Sequence, residues 1–322
     1  MRTPVLEVRD LRKYFPIRTG LTSRLAAKVH AVDGISFDLQ HGETLGLVGE
    51  SGCGKSTAGK TALKLVEPTS GSIKLEGRDI TGLSRSELRP LRREMQMIFQ
   101  DPFSSLNPRM SAGRIVAEAL AVHGIALGAQ QAERVVALFR RVGLRADQMA
   151  EFPHAFSGGQ RQRIAIARAL AVRPKLIVGD EPVSSLDVSI QAQVINLLMD
   201  LQEEYGIAYL FIAHDLAVVQ HIAHRVAVMY LGRIVELADK RSLFSGPLHP
   251  YTEALLAAVP LPDPRARRRE RAVLSGDVPS PVNPPAGCHF HTRCPYVMER
   301  CRVEAPDLRE LRPGHFVSCH RY

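Results

Sequence analysis

One run constrains this chain more than any other: Gly49, Glu50, Ser51, Gly52, Cys53, Gly54, Lys55 and Ser56 satisfy GxxxxGK[ST] at every fixed position. Thr44–Val48 before it is short, apolar and strand-like, and the stretch from Lys55 to Val66 reads as a helix. The pattern therefore sits where a strand must turn sharply into a helix, the context that it requires. Glycines there let backbone N–H groups curl towards one point, and the helix adds the positive end of its dipole, so the turn suits phosphate oxygens. Lys55 would reach the β- and γ-phosphates of a nucleotide and the Ser56 hydroxyl would face Mg2+, with Thr57 closing the nucleotide-binding run.

Composition sets the frame around that turn. The 322 residues are 45% hydrophobic and 23% charged, enough for one large or two modest domains and too apolar for a disordered chain. The longest stretches without a charged residue, Val278–Thr292 and Ala119–Ala132, fall short of the roughly 20 apolar residues of a membrane span. Glu7 and Asp10 interrupt the region where a secretory signal needs an apolar core, which predicts a cytosolic location. A net charge of +9 suits a partner bearing phosphates or an anionic membrane surface.

Strands are expected at Val5–Val8, Ala31–Leu39, Thr44–Val48, Met95–Phe99, Leu176–Val178 and Ala208–Ile212. A helical insert follows Asp101, with Val135, Phe139 and Val142 spaced to form one buried face. Later alternation of strand and helix implies a parallel sheet covered on both faces. Beyond Val259, prolines and the arginines between Arg265 and Arg271 mark a linker that is either simply solvated or in contact with phospholipid headgroups.

Two further elements carry chemistry. The apolar strand at 176 ends in Asp180 and Glu181; with a phosphate loop nearby, Asp180 is a Mg2+ ligand and Glu181 the general base that polarises a water. Ser157, Gly158, Gly159 and Gln160 open a helix, a second N-terminus suited to anions or simply a capped turn.

Phosphate loop, Gln100 after an apolar strand, Ser157–Gln160, Asp180-Glu181, Asp187 and His214 occur in the order and approximate spacing of the ATP-binding-cassette (ABC) ATPases, which residues 5–260 resemble. The resemblance implies an α/β P-loop NTPase cassette: a mixed-sheet core with an antiparallel β subdomain (1–100 and 157–260) and a helical subdomain (101–156). A linker (261–280) and a small cysteine-rich C-terminal extension (281–322) follow. It further implies ATP and Mg2+ as cofactors, Phe15 stacked on adenine with Tyr14 as rival, and Gln100 completing the Mg2+ and water shell. His214 would hold the attacking water, and Ser157–Gln160 would cap the γ-phosphate of a second cassette in trans, with Asp187 at the dimer seam or simply capping a helix.

Asp101–Arg109, Phe152–Arg163, His214–His221 and Val226–Glu236 resemble the second ATPase subunit of bacterial oligopeptide/dipeptide importers. Ala155, where glutamate is usual, and Gly179, where alanine is usual, depart from that pattern. The expected partners are a distinct paralogous ATPase forming a heterodimer, two permease subunits, and through them an extracytoplasmic peptide-binding protein; no direct contact with nucleic acid is expected. The expected place is the cytoplasmic face of the inner membrane, as a peripheral subunit. Import of nickel or glutathione, and a soluble cassette acting on nucleic acid, stand as alternatives. Cys288, Cys294, Cys301 and Cys319 supply four thiolates for a [4Fe–4S] cluster or zinc, or are incidental; the missing short cysteine pairs and the resemblance both favour the cluster. His289, His291 and His320 are substitute ligands.

Overall fold

A computed structural model describes residues 3–19, 24–101, 105–258 and 276–322. The Arg265–Arg271 linker and Pro102, Phe103 and Ser104 lie outside the described residues. In chain order the first elements are β1 (Leu6–Thr19), β2 (Arg24–Leu39), β3 (Thr44–Val48), α1 (Lys55–Ala62), β4 (Ser70–Leu75), β5 (Arg78–Asp79), α2 (Arg85–Leu88) and β6 (Met95–Ile98). Then come α3 (Ala112–Val122), α4 (Gly128–Arg141), α5 (Gly158–Leu170), β7 (Leu176–Asp180), α6 (Val188–Tyr205), β8 (Ala208–Ile212) and α7 (Leu216–Ile222). The chain finishes with β9 (Arg225–Tyr230), β10 (Arg233–Asp239), α8 (Lys240–Ser245), α9 (Pro250–Ala258), α10 (Glu299–Val303), β11 (Arg309–Arg312) and β12 (His315–Val317).

These elements form two compact units, one of residues 1–6, 39–43 and 75–212, the other of 7–38, 44–74 and 213–322. In the first, β6, β7 and β8 run parallel, with Met95 opposite Leu176 and Asp180 opposite Ile212. Every residue of β7 and β8 is buried, which explains why they read as unbroken apolar runs and not as alternating ones. Val135, Phe139 and Val142 are buried as the helical spacing predicts. α6 ends at Gly206, whose φ of 66° stops the helix in the left-handed region.

In the second unit β3 pairs parallel with β9, and β9 turns into antiparallel β10 through Leu231 and Gly232, both with positive φ as a tight hairpin demands. β12 then pairs antiparallel with β10, Glu236 opposite Val317, so the residues after 280 contribute strands to this sheet. A separate group places β2, β1 and β4 side by side. β1 and β2 run well past the predicted Val5–Val8 and Ala31–Leu39, because the described side chains of their outer halves are exposed or half-buried and lack apolar alternation. α1 stops at Ala62, not Val66: Lys64 takes a φ of 53°, and its buried side chain pairs with Glu67.

Glu236 is the one carboxylate in the middle of a buried stretch of β10, and it is fully satisfied. It accepts from the backbone N–H of Leu248 (2.7 Å) and His249 (3.0 Å), and from His315 Nε2 (2.7 Å). Removing it leaves three buried donors unpaired. Glu236→Ala is therefore expected to lose about 3–5 kcal/mol of stability, more than Glu236→Gln, which keeps one acceptor. The urea unfolding midpoints of the two variants check this; equal losses would contradict it.

Candidate functional site

β3 delivers the chain into the glycine loop from a fully buried strand. Two glycines there are obligatory. A Cβ on Gly49 (φ 150°) would lie 2.1 Å from the Met229 carbonyl oxygen, and one on Gly54 (φ 106°) 1.9 Å from that of Ala31. The loop curls so tightly that Lys55, although buried, donates from Nζ to the carbonyls of Gly49 (2.7 Å) and Glu50 (2.9 Å). Ser51 and Gly52 are exposed at the tip, while Ser56 and Thr57 are half-buried in the first turn of α1, where helix N–H groups lack intrahelical partners. Burial pushes the Cys53 thiol up, so it stays protonated inside the loop.

The same unit separates the two aromatic candidates. Tyr14 is committed: its hydroxyl donates to Asp33, and its ring lies 4.3 Å from that of His30. Burial, with Asp33 second, raises the Tyr14 pKa. Burial works against the Asp33 carboxylate, but Tyr14 and the two Arg233 bonds (2.7 and 2.9 Å) hold its pKa below the ordinary value. Phe15 instead presents an exposed ring with Lys13 Nζ 4.8 Å from its centroid. His214 is exposed just after Ala213, whose N–H donates to Leu47 two residues before Gly49; Asp215 caps α7 through Ala217 N–H (2.8 Å).

The first unit holds the carboxylate pair. Asp180 is buried at the carboxyl end of β7. Glu181 takes a φ of 48°, a left-handed conformation that costs a non-glycine residue on the order of 1–3 kcal/mol, and such strain persists only where the surroundings hold it. Here they do: its N–H donates to Ile212 O (3.0 Å), its carbonyl accepts from Ser184, and Gln100 Nε2 donates to its Oε2 (3.2 Å). Gln100 and Asp180 offer oxygen donors, the kind that a hard divalent cation takes.

α5 opens with an exposed Ser157 in a reciprocal cap: Ser157 Oγ accepts from Gln160 N–H (3.3 Å), and Gln160 Oε1 accepts from Ser157 N–H (3.0 Å). Gly159 is required by packing, since a Cβ there would come 2.4 Å from Ile190 Cγ2. Buried Arg161 donates to the carbonyls of Pro153 and His154 and fixes the turn before the serine; Ala155 faces solvent on that turn. Asp187 occupies the N-cap position of α6, exposed, yet its side chain makes no capping bond.

The extension's cysteines are all free thiols. Cys288 N–H donates to Cys301 O (2.8 Å), and burial, then the charges of Cys301, Cys319 and Cys294, pushes the Cys288 thiol up to about 11. His289, His291 and His320 each set one ring nitrogen against a backbone carbonyl. Four soft donors thus bear on one another, but among the described residues no group of three or more His, Cys, Asp or Glu is arranged to hold a metal ion. Sequence reasoning missed two residues that grip the loop. Tyr251 Oη accepts from Glu50 N–H (2.8 Å), and Arg293 pairs with the Glu50 carboxylate. The arginine beside Cys294 was the available signal.

The ABC transporter profile matches residues 32–184, and the profile of the oligopeptide/dipeptide transporter C-terminal region matches 235–301. The oligopeptide transport ATP-binding protein AppF of Bacillus subtilis is 56% identical over 99% of this chain and 97% of its own length. The chain belongs to the ABC transporter family. Within it, the second profile and AppF put the chain among the oligopeptide/dipeptide ATP-binding proteins. The fold is that of the ABC cassettes. An ATP-binding cassette solved as a dimer in a post-hydrolysis state with ADP and Pi has a TM-score of 0.65 and 26% identity, covering 73% of this chain and 99% of that one. The cbiO1 protein of Clostridium perfringens, part of the cbiONQ transporter complex, has a TM-score of 0.65 and 27% identity, covering 76% and 92%.

The two aromatic candidates differ in a way that stability measurements read. Tyr14→Phe deletes the hydroxyl that Asp33 accepts and is expected to cost about 1 kcal/mol, whereas Phe15→Ala at an exposed position stays within about 0.5 kcal/mol of the parent. Urea unfolding of both variants decides this; the reverse order would mean that Phe15 is the packed ring.

Proposed function

We propose that this chain is the ATP-binding and ATP-hydrolysing subunit of an ABC importer that takes up di- or oligopeptides through partner permeases. The observation that carries this reading is the closed phosphate loop around Lys55, in a chain aligned over nearly its whole length with an oligopeptide transport ATP-binding protein. Lys55 exchanges its two carbonyl partners for β- and γ-phosphate oxygens, backbone N–H groups of residues 49–57 enclose the phosphates, and Phe15 stacks on adenine. Mg2+, when bound, would supply charge neutralisation for phosphoryl transfer, and Ser56, Gln100 and Asp180 are the residues that would hold it.

Glu181 takes the proton of the attacking water on its carboxylate, which the Gln100 amide orients from 3.2 Å. His214, exposed beyond β8, holds that water and the γ-phosphate in line. The Ser157–Gln160 turn, capped and with Ser157 exposed, serves the phosphate loop of a second cassette, and Asp187, unused as a cap, sits at the seam between them. That second cassette is a distinct paralogue; the pair drives two permeases fed by an extracytoplasmic peptide-binding protein. No helix among the described residues is long and apolar enough to cross a membrane, which accords with a peripheral subunit held at the cytoplasmic face of the inner membrane by the permeases. Cys288, Cys294, Cys301 and Cys319 belong to a structural [4Fe–4S] cluster, zinc being the other candidate. Metal analysis of anaerobically purified protein, expected to give about four irons per chain, decides it.

The base assignment has a direct test. Glu181→Gln is expected to bind ATP as the parent does, to lose about 10²–10⁴-fold in hydrolysis and to accumulate as a closed dimer with ATP and Mg2+ in light scattering. Parent-like turnover in that variant removes Glu181 from the role.

A further inference from the structure

The phosphate loop is held from outside as well as from within. Glu50, its second residue, is tied at three points: its carbonyl accepts from Lys55 Nζ (2.9 Å), its N–H donates to Tyr251 Oη (2.8 Å), and its carboxylate takes both ends of the Arg293 guanidinium, at 2.8 and 3.1 Å. Arg293 comes from the cysteine-bearing segment, 243 residues further along the chain. Its side chain is only 6% exposed, so the pair is a charge-assisted fork in a place where an unpartnered charge is costly. Packing fixes the arginine's approach. Phe290 stands edge-on to Tyr230, with ring centroids 5.2 Å apart, and lies 5.5 Å from Tyr251; the guanidinium carbon lies 6.0 Å from the Tyr230 centroid. His289 Nδ1 pairs with the carbonyl of Leu231, and the next residue, Gly232, donates its N–H to Cys53 O (2.9 Å).

A negative side chain inside a loop that must receive a polyphosphate is a liability unless its charge is neutralised. Arg293 neutralises it, and the two-pronged geometry also fixes where Glu50, and with it the curl of the loop, sits. We propose that Arg293 is a positioning residue for nucleotide binding, clamping Glu50 so that the phosphate loop keeps its anion-accepting curl and carries no unpaired negative charge. The proposal rests on the reading of residues 49–57 as the ATP site.

Titration of the full-length chain with Mg-ATP tests it. The parent chain must bind; if it does not, the ATP reading and this proposal fall together. Given parent binding, Arg293→Ala is expected to weaken ATP about tenfold or more. Arg293→Lys, which keeps the charge and loses the fork, recovers part of that. Glu50→Gln combined with Arg293→Ala binds ATP more tightly than Arg293→Ala alone, because the unpaired carboxylate is gone. In steady-state hydrolysis with the cognate partners the loss appears in KM, with kcat at saturating ATP within about twofold of the parent. Thermal unfolding without nucleotide identifies a variant that has simply failed to fold, and Arg293→Lys then carries the comparison: folded, it must still bind Mg-ATP more weakly than the parent, and parent-like affinity there overturns the proposal. Parent-like ATP affinity in folded Arg293→Ala, a double variant no tighter than Arg293→Ala, or a loss confined to kcat would overturn the proposal.

Discussion

A buried ammonium must have partners, and in this protein Lys55 finds them in the loop that carries it. Its bonds to the carbonyls of Gly49 and Glu50 require a curl that only glycine at 49 and 54 permits, against the carbonyls of Met229 and Ala31. Much of the second unit follows from that curl. β3 must arrive buried, α1 must start at Lys55, and β9, which supplies Met229, must lie alongside β3, as its parallel register shows. The same closed geometry leaves the loop's backbone ready for an anion.

The second set of constraints lies at the carboxyl end of β7. Asp180 is buried and Glu181 is held left-handed, a combination that aims two adjacent carboxylates differently: one stays with the strand, the other turns to meet Gln100. In contrast, Ser157 and Asp187 are exposed, with the serine hydroxyl already engaged in a local cap.

Local patterns were readable from the sequence where local physics decides them. The phosphate loop, the apolar strands ending at Val48 and Asp180, the buried face of Val135, Phe139 and Val142, and the capped turn at Ser157 all depend on residues within a few positions of one another. Asp187 was legible as an N-cap by type and position, but the structure gives its side chain no such bond. What stayed hidden depends on distant pairing. β12 is three residues long and is recognisable as a strand only because β10 lies beside it. Glu236 looks like a surface charge until Leu248, His249 and His315 are placed around it. Arg293 and Tyr251 reach Glu50 from more than 200 residues away. No window of sequence contains such contacts.

The central claim is that the phosphate loop is preformed, held by Lys55 from within and by Tyr251 and Arg293 from without. Amide hydrogen exchange across residues 49–57 in the nucleotide-free, full-length chain tests it most directly. Protection of these amides well above that of an open loop, reduced in Arg293→Ala while the amides of α5 are unchanged, is the predicted result. Exchange at the rate of an unstructured segment in the parent protein, or a pattern indifferent to Arg293, would contradict it.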